Sequence, residues 1–119
     1  MPEKLGVYRL DAAAPLPDRP AGRIGFFSVT VTAEETSVVC REDLIPADCP
    51  SETGFRALKV KGPLDFALTG ILSSIVTPLA EAGISIFTIS TFDTDYVLLK
   101  EKDFDQAVKL LSSGWTILS

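Results

Sequence analysis

Short apolar runs alternate with polar turns along this chain, most clearly in its second half. Phe55 to Lys61 mixes Ala57, Leu58 and Val60 with basic residues and closes on Gly62-Pro63, the pattern of a strand ending in a turn. Leu68, Ile71, Leu72, Ile75, Leu79 and Ala82 then recur at helical spacing and draw one apolar stripe. Thr69 is placed to cap that helix and Gly83 to end it in the left-handed conformation, while Pro78 should kink its last turn. Residues 84–91 are β-branched and largely apolar, Phe92-Asp93-Thr94 reads as a turn, and 95–100 as the returning strand of a hairpin. Asp103 can open a short helix with Phe104, Ala107, Val108 and Leu111 inside; Gly114 ends it, and 115–118 form a last strand. The predicted order βαββαβ is the split arrangement of ferredoxin-like folds.

The first half reads as a worn copy of the second. Slid by 60 positions, Phe27-Ser28-Val29-Thr30 falls on Phe87-Thr88-Ile89-Ser90, Val38-Val39 on Leu98-Leu99, and Asp43-Leu44 on Asp103-Phe104. Residues 5–10 supply its opening strand. Helices are what it lacks: Pro15, Pro17 and Pro20 forbid a long one, and Pro46 and Pro50 leave room for about one turn. The expectation is an α+β fold of two ferredoxin-like units, 1–52 and 53–119. The first is poor in helix and leans on the second, so that the two pack as one body, with a seam near 50–54.

Composition narrows the function. The chain has 119 residues, 46% of them hydrophobic and 23% charged, enough to build a core without wholesale disorder. Its net charge of −5 and singly scattered Lys and Arg disfavour nucleic acid as a partner. No run approaches the roughly 20 apolar residues of a membrane helix, and residues 1–11 do not read as a signal peptide, so a cytoplasmic protein is expected. There is no histidine. That removes His-based acid–base chemistry, Ser-His-Asp and Cys-His nucleophile systems, and most zinc sites. Cys40 falls in an apolar run as a small buried hydrophobe and Cys49 in a loop before Pro50; whether they pair is left open. Neither GxGxxG nor GxxxxGK[ST] occurs, and no metal or cofactor is expected.

The stretch from Gly62-Pro63-Leu64-Asp65 through Thr69-Gly70-Ile71, with Ala82-Gly83-Ile84-Ser85 and Ser90-Thr91-Phe92-Asp93-Thr94-Asp95-Tyr96, resembles the small tandem-ACT proteins of bacteria. These are related to the ACT domains of the CASTOR arginine sensors. Tyr8-Arg9-Leu10-Asp11 is similar to that family's start, so the likeness covers nearly the whole chain. It implies a regulatory module with ligand held where units meet, between the loop before the first long helix and the hairpin. Carried onto this sequence, that points to Thr69, Gly70 and Ile71 at the helix start, and to Ser90, Thr91, Phe92 and Asp95 at the hairpin. The chain carries no catalytic or DNA-binding domain, so the effector that such modules usually control is missing here, and an effector protein joins the small molecule as an expected partner.

These positions suit an amino acid. A helix start offers free N–H groups and the positive end of a dipole to a carboxylate, and Gly70 lets it approach the backbone. Asp95 can accept an ammonium in a charge-assisted bond. The plainer readings stand beside these. Thr69 and Gly70 serve equally as cap and turn, Asp65 as a helix-entry residue, and Asp93 and Asp95 as turn carboxylates bonding their own backbone. The expected function is binding of a small molecule, an amino acid above others, by a homodimer that covers exposed strand edges. The alternative is an ACT scaffold that binds a protein partner and has lost its pocket. A carboxylate enzyme built on Glu34, Glu35, Asp93 and Asp95 ranks last.

Overall fold

The structure, a computed structural model, describes residues 3–18, 25–60 and 70–111. Their order is β1 (Leu5–Asp11), β2 (Phe27–Val31), β3 (Glu35–Arg41), β4 (Ser51–Val60), α1 (Gly70–Glu81), β5 (Ile86–Ser90), β6 (Asp95–Lys100) and α2 (Phe104–Leu111). Single 3-10 turns at Glu42–Leu44 and Glu101–Asp103 follow β3 and β6. The fold is α+β with antiparallel strand pairing. Two compact units divide the chain, Glu3–Gly54 and the described residues from Phe55 onward, and the division falls inside β4. The expected seam at 50–54 is therefore mostly strand.

In the second unit β6 pairs with β4 on one side and β5 on the other. Strand alternation puts Leu58, Val97, Leu99 and Ile86 on one face, and that face is where both helices pack. Ile75 and Leu79 of α1 and Phe104, Ala107 and Leu111 of α2 close over it, joined by Ile84. Each large side chain so buried contributes about 1.5–3 kcal/mol. The helix expected from Leu68 to Ala82 runs from Gly70 to Glu81, with Pro78 inside it. Its end is a Schellman motif: Ile84 N–H donates to the Leu79 carbonyl and Gly83 N–H to the Ala80 carbonyl, both at 3.0 Å. Gly83 has φ +77°, the left-handed value expected of it. The expected cap Thr69 and the expected strand 115–118 lie outside the described residues.

The first unit has the strand order β2-β3-β1. Among its described residues there is no α-helix, in keeping with its prolines. Tyr8, Val38 and Cys40 form its buried centre, with Leu10, Phe27, Ile45 and Cys49 packed against them. Gly6 stands at a tight spot. A Cβ there would lie 2.5 Å from Ile45 Cδ1 and 2.9 Å from the Glu52 carbonyl oxygen.

The likeness between the halves survives, at a different offset. Thr32 N–H donates to the Glu35 carbonyl at 2.9 Å, and Thr91 N–H to the Thr94 carbonyl at 2.8 Å. Each threonine hydroxyl also donates to that carbonyl and accepts the N–H of the same residue. Thr32 and Thr91 stand 59 positions apart, as do Arg41 and Lys100 ahead of the 3-10 turns. The pairings agree: Phe27 faces Cys40 as Ile86 faces Leu99. Sliding by 60 matches residue types but misplaces every side chain by one. Because a strand's faces alternate, that slip turns core positions outward. At 59, Val38 meets Val97, Cys40 meets Leu99, and Ile45 meets Phe104, all of them core residues.

Candidate functional site

Three rungs cross the helix-covered face of the second unit: Arg56–Leu99–Ile86, Leu58–Val97–Thr88, and Val60–Asp95–Ser90. The last rung marks where β4 ends, β5 ends and β6 begins. The chain leaves β4 at that rung, and after α1 it enters β5 at the opposite one. Since Leu79, in the last turn of α1, packs beside Ile84, the helix C-terminus lies near the start of β5. Twelve residues of helix span about 18 Å. Gly70 and Ile71 are the first two residues of α1.

At the last of these rungs the Ser90 hydroxyl donates to Oδ1 of Asp95 across the strand pair. Among the described residues Oδ2 of Asp95 has no hydrogen-bond partner. Asp95 is half-buried and Ser90 exposed. The pair offers an oriented carboxylate to a cation, fixed by its own neighbour rather than by a backbone turn. The turn bonds expected of Asp93 and Asp95 are made instead by Thr91, whose hydroxyl donates to the Thr94 carbonyl at 3.1 Å. Thr91 thus sets the hairpin geometry. Phe92, at the tip, is 82% exposed. Asp65 and Thr69 lie outside the described residues.

One feature of this face gave no signal in the sequence. Arg56 lays its guanidinium over the Phe104 ring at 3.7 Å, a cation–π contact, and its buried Nε has no hydrogen-bond partner among the described residues. Arg56 sits in a strand otherwise read from its apolar residues, and nothing in its spacing from Phe104 marks the pair. Among the described residues no three His, Cys, Asp or Glu side chains gather into a metal-binding set. No helix among them is long and apolar enough to cross a membrane. Cys40 and Cys49 are both free thiols.

The second unit's β-α-β-β-α order, with both helices on one face, is the ferredoxin-like arrangement on which ACT-type regulatory domains are built. The family model for the ACT domain matches residues 51–113, more than half of the chain, and a second model, for an N-terminal domain, matches 3–48. The chain belongs to the ACT domain family. The human putative protein CASTOR3P is 33% identical over 110 residues, covering 81% of this chain and 67% of its own length. The bovine cytosolic arginine sensor for mTORC1 subunit 1 is 31% identical over 106 residues, covering 80% of this chain. This chain spans about a third of that sensor's length (32%). A solved Agobacterium tumefaciens protein is 38% identical with a TM-score of 0.83, covering 93% of this chain and 82% of its own. The aspartate kinase of Clostridium acetobutylicum, 14% identical with a TM-score of 0.67, shares the fold over 96% of this chain and 33% of its own.

Proposed function

We propose that this protein is a cytosolic regulatory module that binds a free amino acid at the Ser90–Asp95 end of its second unit. The observation that carries the reading is the Ser90–Asp95 rung, a carboxylate hydrogen-bonded by the hydroxyl opposite it at the end of the hairpin strands. An ammonium would bond the open oxygen of Asp95, and a carboxylate the N–H groups at the start of α1, Gly70 and Ile71. Asp65, Thr69 and Phe92 complete the proposed ligand set, and Thr91 holds the hairpin in shape. The arginine-sensor relatives support a small-molecule ligand, and the aspartate kinase shows that this fold occurs within a larger enzyme described as allosteric. The remaining parts of the proposal are two ACT-like units spanning 1–52 and 53–119, a homodimer, and a separate effector protein that reads the bound state. No catalytic role is assigned.

Thermal-shift screening of the common amino acids against the wild type and Asp95→Asn tests this. The expected result is a concentration-dependent rise in Tm with at least one amino acid, reduced at least tenfold in apparent affinity by Asp95→Asn. The absence of any response at high concentration, with a consistent protein partner recovered instead, would favour the scaffold reading.

A further inference from the structure

A second concave surface lies wholly within the first unit, on the face opposite the Tyr8–Val38–Cys40 cluster. Tyr8 and Leu10 point into the Tyr8–Val38–Cys40 cluster, so Val7 and Arg9 point the other way. Ser37 stands directly opposite Arg9 on β3, and Glu35 lies on the same face one rung beyond. The third wall is the start of β4, held to β1 by the Arg9 N–H, which donates to the Pro50 carbonyl at 3.0 Å. These elements line a groove of about 290 Å³ that also takes in Ser51 and Glu52. Small-molecule sites begin at about 300 Å³, so the groove suits a small metabolite.

Its charge pattern narrows the ligand. Among the described residues the Arg9 guanidinium and the Glu35 and Glu52 carboxylates make no side-chain hydrogen bond or ion pair. Elsewhere in the same unit Arg41 and Asp43 do close such a pair, at 2.6 Å. Opposite charges that share a groove without neutralising each other leave a rigid donor fork and separate acceptors available. Two carboxylates against one guanidinium match a ligand with one carboxylate and two cationic groups. Val7 and Pro50 add apolar surface for the chain between them.

We infer that this groove is a binding site for a small diamino carboxylate. Arg9 clamps its carboxylate through two parallel N–H bonds, while Glu35 and Glu52 receive its two ammonium groups. The site is separate from the Ser90–Asp95 end and does not depend on that reading.

Amide-resonance mapping with lysine as the probe tests it, with norleucine, which lacks the second ammonium, as the control. Saturable shifts are expected at residues 7–9, 35–37 and 50–52, with norleucine binding at least tenfold more weakly. Arg9→Gln, and Glu35→Gln with Glu52→Gln, are each expected to weaken lysine at least tenfold while the ligand-free Tm holds. These are exposed or half-exposed side chains, so folding is not at stake. Asp95→Asn is expected to leave these shifts intact. Shifts confined to residues 90–95, no saturable shift at all, or shifts indifferent to Arg9→Gln would each overturn the inference; the first of these would leave the hairpin reading standing.

Discussion

The two units build one hairpin frame and fill it with opposite chemistry. Both turn through a threonine that bonds the carbonyl three residues on, and both follow the second strand with a 3-10 turn. Where the second unit places Thr88, Ser90 and Asp95, the first places Val29, Val31 and Thr36. Where the second lays Phe104 over Arg56, the first lays Ile45 over Gly6, leaving no room for a side chain. Helices cover the face in the second unit. In the first, Val29 and Val31 are 38% and 58% exposed, as Thr88 and Ser90 are exposed at the matching positions of the second, so these two rungs differ in chemistry and not in cover. The backbone frame thus tolerates either filling, and what distinguishes a candidate ligand end from a plain sheet is two side chains on its terminal rung.

The comparison is broken most forcefully in the covered face. Leu99→Ala, which empties a fully buried position among both helices, is expected to cost about 2–5 kcal/mol in urea titration, whereas Val31→Ala should stay within about 0.5 kcal/mol. Equal losses would mean that the two faces are packed alike. Next comes Gly6→Ala. Its methyl meets Ile45 and the Glu52 carbonyl, and a loss of about 1–3 kcal/mol is expected, partly relieved by Ile45→Val. Full rescue would place the strain on the side chain alone, and no rescue on the backbone.

A milder change sharpens the hairpin pair. Ser90→Ala removes the donor to Asp95 and is expected to cost about 1 kcal/mol, while Val31→Ser at the matching position changes little. Denaturant midpoints of the two variants decide it. The smallest effect concerns protons. Burial, with Asp43 nearby, raises the Cys40 thiol pKa, and burial with the two cysteines raises that of Tyr8. Above the ordinary thiol range the unfolded chain therefore binds fewer protons than the folded one, so stability falls as pH rises there. Midpoints at pH 7 and pH 10 should show the decline. Under native conditions at pH 7 an alkylating agent should label Cys49 ahead of the buried Cys40.

Much of the second unit was legible because its signals are local. Strand β6 has the ends its turn and its apolar run predict, and Gly83 stops α1 as a lone left-handed residue should. The paired turns carried a readable mark as well, a threonine at 32 and at 91, yet residue likeness favoured an offset of 60 because Phe27 then meets Phe87. Similar side chains do not reveal which face they occupy. Hydrogen-bond register does.

The residues alone determined that helices are scarce before Pro50, that a helix spans the 70s, and that histidine chemistry is absent. Periodicity, proline and composition act on the chain piece by piece, whatever it later packs against. Only the folded arrangement decided that Ser90 bonds Asp95, that Arg56 rests on Phe104, and that Arg9 shares a groove with Glu35 and Glu52. The last two join elements far apart in sequence, the first crosses a hairpin, and in all three strand alternation makes the meeting hinge on a single step of register.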